Sequence, residues 1–208
     1  MKKIILSTVL ASFFVLNAQA QEEETQLDTD YNKWQLRVRA VAVAPAPYFY
    51  DAISGFDPDI STAFAPEVDI TYFLSKNIAL EFMITTSKHD VEIKDVSNLG
   101  SVSLLPPTLS LQYHFDLNNF KPYVGTGLNY TIFYGEDAGD LDAISYKNEI
   151  GYALQAGIDY NLNDKWFINL DLKKIFLKTE VTANNDNTST VEANLDPLIM
   201  GFGVGMKF

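Results

Sequence analysis

The nine C-terminal residues of this chain alternate strictly between bulky apolar side chains and small or charged ones. The bulky positions are Met200, Phe202, Val204, Met206 and Phe208, and Gly201, Gly203, Gly205 and Lys207 lie between them. A period of two places one set on each face of a β-strand. In a water-soluble protein, such a strand would leave an apolar edge exposed. In a transmembrane β-barrel the apolar face meets lipid and the strand pairs with the first one, so the pattern predicts such a barrel.

The N-terminus has the pattern of a secretory signal peptide. Two lysines precede an apolar stretch from Ile4 to Leu16, and a small–x–small cleavage pattern follows at positions 18–20. We therefore expect residues 1–20 to be cleaved as a signal peptide. Residues 21–33 are then a short periplasmic segment, and residues 34–208 form the barrel.

Composition narrows the possible partners and folds. The net charge is −12, and it becomes −14 once the signal removes two lysines and no acidic residue. Such an acidic protein repels nucleic acid, so we expect no nucleic-acid partner. The chain contains no cysteine, which excludes a disulfide-stapled fold. Beyond residue 20 no apolar run is long enough for a spanning helix, so any membrane crossing must use strands.

Alternation recurs along the rest of the chain and predicts eight strands. They cover about Trp34–Ala44, Ala63–Leu74, Ile78–Thr85, Thr108–Phe115, Lys121–Tyr134, Ser145–Tyr160, Trp166–Phe176 and Met200–Phe208. The connections alternate between short turns at 75–77, 116–119 and 161–165 and long loops at 45–62, 87–105, 135–144 and about 179–191. Bacterial barrels have short periplasmic turns and long extracellular loops. The predicted fold is therefore all-β, an eight-stranded antiparallel transmembrane barrel with up-and-down meander order.

Aromatic residues provide an independent indication of a membrane. Six of them lie beside a short turn or a terminus and share the parity of the apolar face: Trp34, Tyr72, Phe115, Tyr160, Trp166 and Phe208. Aromatic rings collected at one level are typical of a periplasmic-side interfacial girdle. A soluble lipocalin-like barrel would explain the alternation, but it would not explain why the aromatic residues collect at one height along the barrel.

The opposite face of the predicted strands carries charges of both signs. The expected interior charge network consists of Arg37, Arg39, Glu67, Asp69, Glu81, His114, Asp159, Asp171 and Lys207, with Lys173 nearby. In a narrow eight-stranded barrel these groups can pair and fill the lumen rather than leave an aqueous pore. A selective ion path is the alternative reading of the same charges.

The sequence gives little indication of chemistry. His89 and His114 are the only histidines, and Ser110 is two same-face steps from His114, too far for an assured hydrogen bond. No Gly-x-Ser-x-Gly motif and no histidine cluster occur. We therefore expect no enzymatic activity, catalytic residue, metal or cofactor.

Several segments in the same order resemble the outer-membrane protein W (OmpW) family over essentially the whole mature length. They are Leu105–Leu109 continuing into Gln112–Phe115, then Pro122–Thr131, Gly157–Tyr160, Leu195–Pro197 and Gly203–Phe208. The resemblance implies an eight-stranded barrel with an apolar upper lumen. It also implies passage of small hydrophobic molecules across the outer membrane, with release sideways into the bilayer. Weak channel conductance and receptor activity for colicins or phages are likewise associated with the family.

The resemblance also suggests where a solute would pass. Alignment places Met83 at a narrowing of the lumen, and Lys173 where an apolar aromatic is expected. The first long loop offers an apolar extracellular mouth, or simply loop packing, through Tyr48, Phe49, Tyr50, Ile53 and Phe56. Pro106 and Pro107 cannot donate to a ladder, so they should mark the entry of a strand from a loop.

Two functions are consistent with these features. The first is a minor channel of the Gram-negative outer membrane for small hydrophobic molecules. The alternative is a sealed structural or surface-interaction barrel that acts through its extracellular loops without transport. Expected partners are outer-membrane lipids, small hydrophobic solutes, and the barrel-assembly machinery, which would engage the C-terminal strand.

Overall fold

The computed structural model describes residues 32–46, 48–49, 58–93, 97–185 and 187–208, and strands account for most of them. In chain order they are β1 (Trp34–Ala44), β2 (Tyr48–Phe49), β3 (Pro58–Ile60), β4 (Ala63–Phe73), β5 (Ile78–Thr85), β6 (Ser87–Ile93), β7 (Ser97–Leu105), β8 (Thr108–His114), β9 (Phe120–Asp137), β10 (Ala143–Tyr146), β11 (Glu149–Asn161), β12 (Trp166–Phe176), β13 (Lys178–Asn185), β14 (Asn187–Asn194) and β15 (Leu198–Lys207). The predicted signal peptide and most of the predicted periplasmic segment lie outside the described residues.

Eight of these strands close into an antiparallel barrel in the order β1-β4-β5-β8-β9-β11-β12-β15. Consecutive members pair in register, and β9 pairs with both β8 and β11. The circle closes where β15 returns to β1, from Gln35↔Lys207 to Ala44↔Leu198. The predicted eight-stranded meander is therefore confirmed, and closure pairs the first barrel strand with the last.

Alternation along each strand separates a lipid face from a lumen face. On β1, Gln35, Arg37 and Arg39 are buried inside, whereas Leu36 and Val38 are exposed outside. From Trp166 to Phe176, β12 rises about 33 Å along its length, or roughly 25 Å perpendicular to a bilayer at a tilt of about 40°. This matches the apolar thickness of an outer membrane. No helix among the described residues is long and apolar enough to cross a membrane.

Tight turns join the strands at the end that carries Trp34 and Trp166. In the β4–β5 turn, Leu74 donates its backbone N–H to the carbonyl of Ile78, and Ser75 Oγ accepts from the backbone of Ile78 at 3.1 Å. All six aromatic residues predicted for the periplasmic girdle lie at this end of the barrel. Two of them, Trp34 and Tyr72, are in contact, with 4.6 Å between their ring centroids. Their side chains are partly exposed on the lipid side.

The opposite end differs from the sequence-based expectation. The segments 87–105 and 179–191 are predicted as loops, but the first forms the hairpin β6–β7 and the second lies within the hairpin β13–β14. Both hairpins continue from barrel strands at this end. The strand β10, expected to belong to one long sixth strand, pairs with β13 instead of continuing into β11. Outward-facing residues here, such as Lys88 and Glu180, are polar because this part of the wall projects beyond the lipid. The apolar alternation that identifies a membrane strand is therefore absent.

Glycines on the inner face of β15 allow close approach of its neighbours. A Cβ atom at Gly203 would lie 2.0 Å from the carbonyl oxygen of Val38 and 2.7 Å from the Cα of Arg39. At Gly205 it would lie 2.1 Å from the ring of Phe167. Glycine alternates with bulky residues in β15 because atoms of β1 and β12 already occupy the space that an inward-facing Cβ atom would need at Gly203 and Gly205.

Candidate functional site

The lumen has two chemically different halves, and the lower one is filled with charge. Eight Arg, Lys, Asp and Glu side chains among the described residues are buried there: Arg37, Arg39, Glu67, Asp69, Glu81, Asp159, Asp171 and Lys173. We call this group the charged plug. It contains three cations and five carboxylates, and none of the eight is more than 7% exposed. Buried charges at this density require mutual pairing and hydrogen bonds.

Arg37 is at the centre of the charged plug and is completely buried. Its Nη1 donates to Asp69 Oδ1 at 2.9 Å and to Glu81 Oε2 at 3.2 Å, while Nη2 donates to Asp159 Oδ2 at 3.3 Å. Nη1 also donates to Thr71 Oγ1 at 2.7 Å. One guanidinium thus connects strands β1, β4, β5 and β11 across the lumen.

Arg39 and Lys173 complete the pairing one level higher. Arg39 Nε donates to Glu67 Oε1 at 2.6 Å, and its Nη2 lies 2.7 Å from Asp69 Oδ2. Lys173 Nζ donates to Glu81 Oε1 at 3.1 Å. Lys173, expected near a lumen narrowing, therefore lies at the top of the charged plug, and Met83 follows Glu81 on the same face of β5.

Aromatic rings that sequence reasoning did not single out fill the rest of the lower lumen. Tyr123 and Phe167 are buried, and the guanidinium carbon of Arg37 lies 5.4 Å and 5.5 Å from their ring centroids. Tyr123 donates its hydroxyl to Asp171 Oδ2 at 2.6 Å. His114 stacks on Tyr123, and its Nε2 contacts Gln112 Oε1 at 2.9 Å. The alternation of the strands could have identified both aromatic residues. Val124 and Trp166 face lipid, so their neighbours Tyr123 and Phe167 must face the lumen.

The upper half of the lumen is apolar. We use the term upper lumen for the buried cluster formed by Val41, Val43, Ala65, Met83, Val91, Val102, Leu104, Phe133, Ala153, Ile175, Leu177, Leu195 and Ile199. Met83, Ala153 and Ile175 have no exposed surface. The side chains therefore fill this space themselves, and a solute would have to displace some of them.

The barrel wall is interrupted beside the upper lumen. β5 pairs with β8 as far as Met83↔Thr108, and β6 pairs with β7 from Ser87↔Leu104. Between these pairs no ladder pair joins Ile84–Thr86 to Leu105–Pro107, and we call this gap the wall break. On their other sides, Ile84 and Thr85 still pair with β4, and Leu105 pairs with β9. Pro106 and Pro107 lack the N–H that a ladder needs.

Side chains on the inner surface hold the proline side of the wall break. Asn129 Nδ2 lies 3.1 Å from the carbonyl oxygen of Pro106 and 3.3 Å from that of Pro107. Thr108 Oγ1 donates to the Pro106 carbonyl at 3.0 Å. These bonds give the carbonyls of Pro106 and Pro107 side-chain donors beside the end of the ladder with β5, so Asn129 and Thr108 fix the position of this segment. Neither residue was identified from the sequence.

A second interruption of the wall lies on the other side of β5, where it adjoins β4. β4 pairs with β5 only from Glu67↔Thr85 downward, and Thr85 Oγ1 donates to the Pro66 carbonyl at 2.9 Å. Farther up, His89 Nδ1 lies 2.7 Å from the Ser61 carbonyl oxygen and its Nε2 lies 2.9 Å from Ser87 Oγ. The carbonyl can only accept, so His89 carries its proton on Nδ1 and accepts from Ser87.

This arrangement predicts a local acid sensitivity. Burial lowers the pKa of His89, although the hydrogen bond to Ser61 and the charge of Asp90 oppose the shift. The unfolded chain binds this proton near pH 6.5 and the folded chain only at lower pH, so stability falls as pH drops below about 6.5. Hydrogen-exchange protection of the Ser61 amide, which donates to the Asp90 carbonyl, should decrease between about pH 7 and pH 5. In His89→Gln the decrease should vanish, and equal decreases in both proteins would contradict the assignment.

The predicted extracellular mouth is described only in part. Tyr48 and Phe49 form β2, which pairs with β14. Tyr50, Ile53 and Phe56 lie outside the described residues, so the mouth stays a prediction. Lys207, predicted as an interior charge, lies at the lower end of the lumen, donates to Asn161 Oδ1 at 2.5 Å, and is 5.6 Å from the centroid of Phe167.

Comparisons with known proteins agree with this architecture. Residues 33–208 match the sequence model of the OmpW family. The outer-membrane protein y4mB of Sinorhizobium fredii is 43% identical over 169 residues, which cover 76% of this chain and 72% of that protein. Outer membrane protein AlkL of Ectopseudomonas oleovorans is 31% identical over 99% of this chain and 97% of its own length. The crystal structure of OprG from Pseudomonas aeruginosa, at 24% identity, superposes with a TM-score of 0.79 over 86% of this chain and 96% of that one. The chain therefore belongs to the OmpW family, and it is a β-barrel of the Gram-negative outer membrane.

Proposed function

We propose that this barrel carries small hydrophobic molecules across the outer membrane, from the extracellular side into the upper lumen and then sideways into the bilayer. The observation that supports this most directly is the division of the lumen. Apolar side chains line its upper half, and the charged plug fills its lower half. Passage of small hydrophobic molecules is also what the family resemblance implies.

The charged plug makes a straight path to the periplasm unfavourable. An apolar solute moving downward would have to separate buried ion pairs such as Arg37–Asp69 and Lys173–Glu81. Leaving a buried charge unpaired costs about 3–5 kcal/mol. The wall break is level with the upper lumen and has no ladder bonds between its two sides, so separating them costs less than separating paired strands. The proposed exit is therefore lateral, between Ile84–Thr86 and Leu105–Pro107.

Met83 is the side chain best suited to yield. It is buried in the upper lumen and its strand partners, Asp69 and Thr108, belong to the charged plug and to the edge of the wall break. Methionine is unbranched and has three rotatable bonds, so it can change shape at low cost. This role for Met83 and for the mouth residues belongs to the proposal.

The tight packing of the upper lumen favours the rival function, a sealed barrel that acts through its extracellular loops. The decisive experiment is uptake into vesicles that carry the refolded barrel and a lipopolysaccharide outer leaflet. A hydrophobic probe is compared with a charged probe of similar size. Selective entry of the hydrophobic probe supports transport. Entry of neither, by a barrel shown to be folded, supports the sealed barrel.

Met83→Trp should reduce uptake of the hydrophobic probe by about tenfold or more, because the larger ring overfills a site with no free surface. The matched control is Phe82→Trp, the neighbouring residue on β5, which is 46% exposed on the lipid face. That variant should keep the wild-type rate. Folding of both is checked by the heat-dependent shift in gel mobility. Equal uptake by the two folded variants would contradict a route past Met83.

A further inference from the structure

The apolar upper lumen has a polar border on one side. Toward β1, β12 and β15 it is lined by Val41, Ile175 and Ile199. Toward β8 and β9 it is bordered by a column of buried polar residues, which we call the polar column: Thr131, Asn129, Thr108 and, at its lower end, Ser110, the ladder partner of Glu81 in the charged plug. Thr108 and Asn129 are directly opposed in the ladder.

The polar column contains a hydroxyl without a partner. Ser110 is fully buried, and its Oγ has no hydrogen-bond partner among the described protein groups. A Cβ atom at Gly127 would lie only 2.6 Å from this oxygen, so the hydroxyl lies against bare glycine backbone. Ala153, opposite Gly127 on β11, adds little bulk. An unsatisfied buried hydroxyl is costly, and a polar atom of a solute would satisfy it.

The rest of the polar column is engaged in holding the wall break. Asn129 and Thr108 donate to the carbonyl of Pro106, and Thr131 Oγ1 donates to Asn129 Oδ1 at 2.7 Å. A hydrocarbon that separated the wall at this point would leave these groups without partners. A solute with its own hydrogen-bonding atom would replace the bonds as it passed.

We infer that Ser110, Thr108 and Asn129 form a binding subsite for one uncharged hydrogen-bonding group, so that the preferred solutes are small apolar molecules bearing a carbonyl, ester or hydroxyl group. This inference rests on the proposed transport function and adds the class of solute. A charged group is not accommodated, since the buried cations Arg37, Arg39 and Lys173 are all paired with carboxylates of the charged plug. Asn129 and Thr108 act here as specificity-determining residues.

The test compares octan-2-one with octane, which match in chain length and differ in one carbonyl. Each is presented to vesicles with a lipopolysaccharide outer leaflet, and entry is measured by capture in encapsulated cyclodextrin. After subtraction of entry into protein-free vesicles, octan-2-one should enter about tenfold faster than octane, the factor expected for one hydrogen bond of ordinary net strength. Ser110→Ala and Thr108→Val should each reduce this ratio toward one.

The matched control is Thr126→Val, on the lipid face of β9, which should keep the wild-type ratio. Asn129→Leu is included with a check of gel mobility, because its loss also removes contacts of the wall break. Equal protein-dependent entry of both solutes would overturn the inference and leave the transport function standing. A ratio that persists in folded Ser110→Ala and Thr108→Val would overturn the subsite. No protein-dependent entry of either solute would overturn the transport function, and the inference with it.

Discussion

Replacing Arg37 with methionine should cost about 3–5 kcal/mol of unfolding free energy, the largest loss expected from any single change in the charged plug. Arg37 is completely buried and lies within 3.3 Å of carboxylate oxygens from three residues, Asp69, Glu81 and Asp159. Methionine is also a long unbranched side chain, but it carries no charge. The three carboxylates that share the Arg37 cation would then face one another without that cation. The measurement is urea unfolding of the refolded barrel, followed by tryptophan fluorescence.

The control for Arg37→Met is Lys76→Met at the periplasmic turn. Lys76 pairs with Asp116 at 3.7 Å, but its side chain is 61% exposed. Exposed ion pairs contribute about 0–1 kcal/mol, so this variant should unfold nearly like the wild type. Adding Asp159→Asn to Arg37→Met should recover part of the loss, because one unpaired carboxylate is removed. Equal stabilities of Arg37→Met and Lys76→Met would show that the charged plug does not stabilise the barrel.

Gly203→Ala should prevent most molecules from closing the barrel. The added Cβ atom would lie 2.0 Å from the carbonyl oxygen of Val38, and backbone atoms in a closed ladder cannot move aside as a side-chain tip can. We expect a cost of about 3 kcal/mol or more, at or beyond the upper end of ordinary overpacking. The measurement is the fraction of refolded protein that migrates in the compact form on an unheated gel.

Gly201 provides the matched comparison for Gly203, since both face inward on β15 two residues apart. The nearest atoms to a Cβ at Gly201 are side-chain carbons of Arg39 at 3.2 Å and Val41 at 3.3 Å, which can shift slightly. Gly201→Ala should therefore refold to nearly the wild-type extent. If the two variants refold equally well, close approach of the backbone does not explain glycine at position 203.

The membrane part of the fold was predictable because lipid imposes an apolar outer face. Trp34–Ala44 and Trp166–Phe176 were predicted with the bounds that the structure shows for β1 and β12. That constraint ends where the wall leaves the bilayer. In β6 the outward-facing residues Lys88 and Asp90 are charged, so the strand lacks the apolar outer face by which the membrane strands were recognised. For this reason the sequence predicts a loop where the structure has the β6–β7 hairpin.

The lumen was predictable in composition but not in connectivity. Strand parity placed Arg37 and Glu81 on the inner face, yet their pairing depends on the shear of the closed barrel, which brings residues 44 positions apart to 3.2 Å. The role of Asn129 could not be inferred, because its partners are backbone carbonyls of Pro106 and Pro107. Such bonds depend on where a ladder fails, and sequence alternation carries no information about that.

The pairing of β1 with β15 has a consequence for how quickly the protein can reach its native state. Gln35 and Lys207 are neighbours in the barrel although 172 positions separate them in the chain, and Arg37 meets Asp159 across 122 positions of sequence. Non-local contacts of this kind make folding slow, since loop-closure entropy is lost before the contacts form. Until the last pair forms, two strands keep open edges and the charges of the lumen lack partners. A chain whose barrel has not closed is therefore prone to aggregation, so slow closure should lower the yield of refolded protein.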